Sequence, residues 1–339
     1  MIFSYRTRRF LGRIFRILLI TAVVAVVAWL CWLLWLQRFV VYTPDGVKLD
    51  FSLSQLQPGE VAVPKEPDTT VSIYYGEVEA TKPSDTPTQT KLTGYYVSAE
   101  ALFEDVSAVK AQLQQLPAGT PVMLDVKTGT GYFYYSTQVG AGTYNGIDRQ
   151  AMDDLIAWLA QSDLYTIARL PALRDYVYAA SNPSAGLPVA GGWLWIDSQR
   201  CYWLDPSDED TLSYLMQIVR ELRSLGFDEV VFRNFCFPNT NEIVFEGDKG
   251  EALASAAQTL VTACATDEFT VSFVTEDPNF VLPPARSRLY LENVAAADVA
   301  DVAAQYAMTA GADRLVFLAT NNDTRYNDYG VLRPVDLAH

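Results

Sequence analysis

The chain has 339 residues, half of them hydrophobic, which is enough for one large folded domain with an appendage and excludes a disordered or collagen-like protein. Its only histidine is His339, at the C-terminus, so histidine-dependent catalytic triads and histidine-ligated zinc enzymes are also excluded. Residues 1–38 contain six of the 25 basic side chains and none of the 40 acidic ones, so the remainder is strongly acidic and is not expected to bind nucleic acid.

A hydrophobic segment without charges extends from Ile17 to Leu36. At about 1.5 Å per residue it can cross the roughly 30 Å hydrocarbon core, so residues 17–36 are predicted to form a transmembrane helix. Residues 1–16 contain five arginines and no acidic residue, which predicts a cytoplasmic basic tail and an extracytoplasmic location for everything after the span. A cleavable signal peptide is the alternative, but the apolar segment is long for one and no small-residue cleavage motif follows it.

Residues 37–91 are predicted to separate the membrane from the main domain. Val40 to Ser52 alternates apolar and polar residues around Pro44-Asp45-Gly46, which indicates a short juxtamembrane hairpin. Gln57 to Lys91 is rich in Pro, Thr, Glu and Ser and is typical of a spacer, with one candidate strand at Val71 to Tyr75.

From Leu92 onward, apolar strand patterns alternate with amphipathic helix patterns. The predicted strands are Thr93–Ser98, Val122–Val126, Tyr165–Leu170, Glu229–Asn234, Thr270–Thr275, Arg288–Asn293 and Arg314–Ala319. Repeated βα units favour an α/β fold with a parallel sheet, and residues 92–339 approach the about 250 typical of a TIM-like (β/α) barrel. We expect seven to eight parallel strands, with an eighth lost or irregular between Asn293 and Arg314; a doubly wound open sheet is the alternative.

The helix predictions depend on apolar periodicity and on end signals. Stripes over Leu102–Leu116, Met152–Leu159 and Leu212–Leu222 predict three helices, and two more are predicted at Gly247–Ala265 and Ala296–Ala310. Asp148 is the expected N-cap of the second, whereas Pro206 and Gly226 mark the entry and exit of the third.

Neither a cofactor nor a metal is expected. No strand is followed by G-x-G-x-x-G, and Gly129-Thr130-Gly131 and Gly140-Ala141-Gly142 match neither dinucleotide-binding nor P-loop patterns. The cysteines after the predicted span, Cys201, Cys236 and Cys264, form no C-x-x-C pair; buried free thiols are expected, and one disulfide is left open.

Short motifs in this region match a known family. They are Gly94-Tyr95-Tyr96-Val97-Ser98, Leu124-Asp125-Val126-Lys127 with Gly131-Tyr132, Ile167-Ala168-Arg169, Trp203-Leu204-Asp205-Pro206 before Gly226-Phe227-Asp228-Glu229, and Asn321-Asn322. In their order and spacing, residues 92–339 resemble a glycoside hydrolase domain family of secreted and membrane-anchored bacterial proteins. The resemblance implies a TIM barrel and a carbohydrate ligand.

The chain departs from this family at one strand end. Similar proteins usually have F-D-Y-x-R-F-P where this chain has Phe232-Arg233-Asn234-Phe235-Cys236-Phe237-Pro238. Glycoside hydrolysis ordinarily needs two carboxyl groups, and arginine, which stays protonated, can replace neither. The resemblance therefore implies the fold, while the activity is open.

Three other acids at predicted strand ends are candidate catalytic residues. Asp125 is the first choice because it also lies in a family motif, and Glu276 and Glu292 are the candidates for its partner. The alternative for Asp125 is an ion pair with Lys127 or Arg169, or a capping role in the loop. A pairing of Arg233 with Asp125 would neutralise the site.

Candidate sugar-binding residues combine aromatic, amide and basic side chains. Indole rings suit the apolar faces of sugars, while amides and charges suit their hydroxyl rims. The candidates are Lys127, Arg169, Trp193, Trp195, Trp203, Arg233 and Asn234. Packing of the loops against the barrel is the alternative role for the aromatic residues.

Two functions follow from the sequence. The favoured one is a membrane-anchored, extracytoplasmic barrel that binds envelope or extracellular carbohydrate with lost or altered catalysis. The alternative is an active glycoside hydrolase that uses Asp125 with Glu276 or Glu292 as its acid pair.

Overall fold

The computed structural model describes residues 40–43, 46–49, 90–139, 142–307 and 309–335. The chain divides into two units, residues 1–78 and 79–339. In the first unit, β1 (Val40–Thr43) and β2 (Gly46–Leu49) pair as the predicted antiparallel hairpin. The candidate strand at 71–75 and the predicted transmembrane helix at 17–36 lie outside the described residues. Among the helices that are described, none has the length and apolar character needed to cross a membrane.

The second unit contains a closed barrel of eight parallel strands. These are β3 (Thr93–Val97), β4 (Pro121–Asp125), β5 (Tyr165–Pro171), β6 (Glu229–Arg233), β7 (Thr270–Val274), β8 (Leu289–Leu291), β9 (Leu315–Leu318) and β10 (Gly330–Pro334). The TIM-like barrel prediction is confirmed, and the open sheet is not what forms. The predicted position of the eighth strand was wrong, because β10 follows β9 and closes the ring between β9 and β3.

The described helices follow most of the predicted apolar stripes. They are α1 (Ala99–Glu104), α2 (Val106–Leu113), α3 (Arg149–Leu159), α4 (Tyr176–Ser181), α5 (Glu209–Ser224), α6 (Lys249–Cys264) and α7 (Val299–Gln305). Asp148 caps α3 as predicted, since its side chain accepts a hydrogen bond from the Ala151 amide. The single helix expected over 102–116 is divided, because the extended backbone of Asp105 ends α1 and its carboxylate caps α2. The last predicted helix is also shorter than its apolar pattern.

Two apolar cores lie on the two faces of the barrel wall. The larger packs the helices against the outside of the strands. The smaller fills the interior, and its members come from around the whole ring: Leu92, Met123, Ile167, Val231, Val274, Tyr290, Val316, Leu318 and Leu332. Because side chains alternate along a strand, Glu229 and Arg233 share the inward face of β6 with Val231. Glu229 therefore points into the start of the barrel, and Arg233 into its C-terminal mouth.

Candidate active site

The centre of the site is an arginine that binds two carboxylates. Asp125, the last residue of β4, lies opposite Arg169 of β5 in the strand register, and Glu292 directly follows β8. The Nε and Nη2 atoms of Arg169 donate to Oδ1 and Oδ2 of Asp125 at 2.7 and 2.9 Å, and its Nη1 donates to Oε1 of Glu292 at 2.7 Å. This is the ion pair with Arg169 that the sequence left open for Asp125.

These bonds also keep Arg169 charged. Burial alone acts to lower the pKa of Arg169, but the hydrogen bonds and charges of Asp125 and Glu292 outweigh it and raise that pKa. Arg169 therefore supplies one positive charge between two carboxyl groups. Both oxygens of Asp125 are occupied by one guanidinium in the bidentate geometry that makes such pairs strong.

Arg233 has no comparable partner. It is half-buried at the end of β6, opposite Pro171 of β5. Within the part of the chain that the structure describes, no carboxylate oxygen lies within 4.0 Å of its guanidinium. Arg233 therefore does not form the pair with Asp125 that would neutralise the site. Arg169 binds Asp125 instead.

A cleft of about 990 Å³ opens at this end of the barrel. Its lining includes five of the predicted site residues: Trp203, Arg233, Asn234, Glu276 and Glu292. Amides from the loop after β6 also contribute, at Asn239 and Asn241. Asp125 and Arg169 are only 7% and 9% exposed, so they reach the cleft through their contact with Glu292. A polar cleft of this size, with an aromatic side chain in its wall, has the dimensions and chemistry of a sugar-binding site.

Lys127, which the sequence predicts to contact substrate, is buried in an ion pair and does not line the cleft. Its Nζ lies 2.6 Å from Oδ2 of Asp175, and both side chains are fully buried. Asp175 in turn caps α4 through the Tyr178 amide and accepts a hydrogen bond from the Tyr214 hydroxyl. Strand β4 ends at Asp125, so the alternation that points Asp125 into the barrel does not extend to Lys127.

The three predicted tryptophans lie in different environments. Trp203 lines the cleft but is 8% exposed, with its Nε1 donating to Asp197. Trp195 is half-buried and donates to Oε2 of Glu242 at 2.8 Å. Trp193 is 79% exposed and does not line the cleft. Of the three, only Trp203 is placed to contact a ligand in this cleft.

Four further residues near the mouth are not among the predicted site residues. Burial raises the pKa of Tyr96. The charge of Arg169 acts to lower this pKa, whereas the charges of Glu292 and Glu100 raise it further. Burial also raises the pKa of Tyr134, with the charge of Asp125 adding. The Glu100 carboxylate accepts hydrogen bonds from its own backbone amide and from the Ser98 side chain, and these bonds lower its pKa. The positive charges of Arg169 and Arg233 lower that pKa further. Lys249, at the start of α6, lines the cleft. Tyr96 lay in a family motif, but no sequence signal marked Lys249.

The three described cysteines are free thiols. The prediction of burial is correct for Cys201 and Cys264 and wrong for Cys236, which is exposed and lines the cleft because it follows the end of β6. Burial of its sulfur nevertheless raises the pKa of Cys236 to about 11, with the charge of Glu276 adding. Among the described residues, no group of three or more His, Cys, Asp or Glu side chains is arranged to hold a metal ion.

Comparison with known proteins identifies the family. A family model described as "Putative glycosyl hydrolase domain" matches residues 92–274, more than half of the chain. The chain belongs to this family. The resemblance seen in the motifs is thus confirmed. No curated protein sequence matches the chain.

Two solved α-galactosidases show the same fold. The GH36 α-galactosidase AgaA from Geobacillus stearothermophilus is 10% identical with a TM-score of 0.50, and the match covers 72% of this chain and 39% of that one. An α-galactosidase from Lactobacillus brevis is 10% identical with a TM-score of 0.50, and the match covers 73% of this chain and 38% of that one. The glycoside hydrolase domain of PelA from Pseudomonas aeruginosa is 13% identical with a TM-score of 0.45, and the match covers 74% of this chain and 96% of that one. The chain spans about two fifths of the α-galactosidases that it matches, and identities this low show the fold alone.

Proposed function

We propose that this protein binds a carbohydrate of the cell envelope or the extracellular medium in the cleft of its barrel, without hydrolysing it. The observation that carries this proposal is the bidentate pair of hydrogen bonds that Arg169 donates to Asp125. A glycosidase needs one carboxyl group to protonate the leaving oxygen and a second to act as nucleophile or to activate water. Asp125 has both oxygens hydrogen-bonded to a guanidinium and is only 7% exposed, so it is poorly placed to reach a glycosidic bond for either task.

The end of β6 supports the same conclusion. Arg233 points into the mouth where a strand-end carboxylate would be needed, and its guanidinium can neither donate a proton to a leaving group nor attack a sugar. It can bind, because its five N–H groups are donors that match hydroxyl, carbonyl and carboxylate oxygens. The amides of the neighbouring loop and the indole of Trp203 add the mixed polar and apolar lining that sugars require.

Hydrolysis is the rival function, and one observation favours it. Glu292 uses only Oε1 to bind Arg169, and no hydrogen bond to its Oε2 is present within the described residues. Glu276 lines the same cleft and is exposed. In this alternative, Glu292 and Glu276 form the acid pair and Asp125 only holds Arg169 in place.

The test combines binding with product release. The full chain, purified in detergent, is incubated with envelope and plant polysaccharides, and both retention in affinity electrophoresis and new reducing ends are measured. We expect retention by at least one polysaccharide and no reducing ends above the buffer level. Release that disappears in both Glu292→Gln and Glu276→Gln would establish the hydrolase instead. Absence of retention by every polysaccharide would contradict the binding function.

We also propose that residues 17–36 anchor the protein, with the barrel outside the cytoplasm. The support is the uncharged apolar segment and the five arginines before it. Protease added to intact cells should then remove the barrel and leave a short membrane-bound fragment. Full protection of the barrel in intact cells, with cleavage only after lysis, would contradict this orientation.

A further inference from the structure

We propose that the cleft selects a sugar bearing a negative charge, such as a uronic acid, and that Arg233 binds this charge. The inference rests on the proposed carbohydrate-binding function and adds the class of ligand to it. It starts from the unequal distribution of charge at the mouth of the barrel. Arg169 binds two carboxylates there, whereas Arg233 binds none among the described residues.

The acids near Arg233 are already engaged or are open to solvent. Glu100, whose charge interacts with that of Arg233, is exposed, and no contact within 4.0 Å joins the two in the described chain. Asp125 and Glu292 bind Arg169. Asp277 accepts hydrogen bonds from the Asn279 amide and side chain, at 2.9 and 3.2 Å. Glu276 is exposed, and no contact within 4.0 Å joins it to Arg233 in the described chain. A half-buried guanidinium without a counter-charge in direct contact loses hydration and gains little in exchange, and an anionic ligand would restore the balance.

The backbone around Arg233 is held in place. The Ala172 amide donates to the Arg233 carbonyl at 2.8 Å, so the end of β6 is tied to β5. Asn234 follows with a φ of 51°, in the left-handed region, which turns the chain sharply away from the strand. The guanidinium is thus presented from a fixed strand end rather than from a loop. Its planar fork is suited to bind a carboxylate through two parallel hydrogen bonds.

A second cation extends this basic side of the cleft. The Nζ of Lys249 lies 5.4 Å from the centre of the Phe237 ring, and both residues line the cleft. Within the described residues, no carboxylate oxygen lies within 4.0 Å of this ammonium. The acids that remain in the cleft can accept hydrogen bonds from sugar hydroxyls, which are donors. The site therefore suits one carboxylate surrounded by hydroxyl groups better than a dense polyanion.

The experiment compares matched oligosaccharides on the full chain in detergent, with affinities measured by calorimetry. The probes are short galactose oligomers in which one residue is replaced by galacturonic acid, the neutral galactose oligomers of equal length, and cationic glucosamine oligomers. We expect the wild type to bind the uronate at least tenfold more tightly than the neutral oligomer. Arg233→Gln should remove this preference, weakening uronate binding at least tenfold and neutral binding less than twofold. Arg325→Gln, which changes an exposed arginine outside the cleft, is the matched control and should have no effect.

The outcomes separate this inference from the function on which it rests. Equal or tighter binding of neutral or cationic oligomers, unaffected by Arg233→Gln, would overturn the choice of ligand and leave carbohydrate binding intact. Failure of all three probes to bind, together with no retention by any polysaccharide, would overturn both. Because Arg233 has no partner in the described structure, its variant should keep the wild-type melting temperature, which shows that a loss of binding is not a loss of fold.

Discussion

A buried ion pair connects the two strands that carry the cleft charges. Glu229 starts β6, which ends at Arg233, and Arg288 precedes β8, which leads to Glu292. The Nη1 of Arg288 lies 2.5 Å from Oε2 of Glu229, and the two side chains are 3% and 0% exposed. We predict that Glu229→Gln, which keeps the shape but removes the charge, strongly destabilises the barrel.

The magnitude follows from what Glu229 accepts. Besides Arg288, its carboxylate receives hydrogen bonds from the hydroxyls of Tyr165 at 2.9 Å, Ser272 at 2.5 Å and Tyr290 at 3.0 Å. Glutamine offers one acceptor oxygen and places an NH2 donor among these donors, while the Arg288 charge stays buried and unpaired. Removing one partner of such a pair costs about 3–5 kcal/mol. For a domain of this size the melting temperature should fall by roughly 6–20 °C.

The assay is thermal unfolding of the purified chain, followed by near-ultraviolet circular dichroism at pH 7. The double variant Glu229→Gln/Arg288→Met should recover part of the loss, because it no longer buries an unpaired charge. Asp323→Asn removes one partner of an exposed ion pair and should leave the melting temperature unchanged. A loss of less than about 1 kcal/mol in the Glu229 variant would refute the reasoning, since this pair would then contribute no more than a surface pair.

Three further predictions concern other contacts of the barrel. Lys127→Met leaves Asp175 buried without its counter-charge and should cost about 3–5 kcal/mol of unfolding free energy in thermal melts, with the sugar affinity of the folded protein unchanged. Gly94→Ala should cost about 3 kcal/mol, because an added Cβ would lie 2.1 Å from the Pro121 carbonyl oxygen. Alkylation of Cys236 by iodoacetamide should be slow at pH 7 and accelerate as the pH approaches 11, because the thiolate reacts and the pKa of this thiol is raised to about 11.

Each of these has its own control or contrary outcome. Gly119→Ala meets no atom within 4 Å and should cost less than Gly94→Ala, although its φ of 76° still strains alanine. If Lys127→Met weakens sugar binding while the melting temperature is unchanged, the lysine contacts ligand after all. Alkylation of Cys236 that is fast at pH 7 would mean that its sulfur is better solvated than the packing indicates.

The barrel was predictable from sequence wherever a strand contains a run of apolar residues or a helix begins with a capping residue. Strands β3 to β9 were found because each contains a run of hydrophobic residues, and Asp148 was found because a capping residue precedes an amphipathic stripe. Strand β10 was missed because Val331 and Leu332 are its only large apolar residues, flanked by Gly330 and Arg333. Its stability comes from pairing with β9 on one side and β3 on the other, which no local pattern reveals.

The candidate site was predictable in position, whereas its pairing was predictable only as one of several alternatives. Parallel strands place their C-terminal ends at one mouth, so Arg233, Glu276 and Glu292 were expected together, and all three line one cleft. Which arginine binds Asp125 depends on the register of β4 against β5, a relation between segments 44 residues apart. The burial of Lys127 likewise depends on packing against distant residues. Patterns along one strand contain no information about such contacts.

Arg169 and Arg233, the two arginines at the mouth, affect hydrolysis in different ways. If Arg233 alone prevented hydrolysis, replacing it with aspartate would restore an acid pair with Asp125. Asp125, however, would still have both oxygens bound by Arg169 and would be only 7% exposed, so the restored acid would have no accessible partner there. Recovery of hydrolysis would therefore require Glu292 to act through its remaining oxygen. The proposed binding function thus depends on two positions on neighbouring strands, and a single reversion at Arg233 should change which sugars bind before it produces any cleavage.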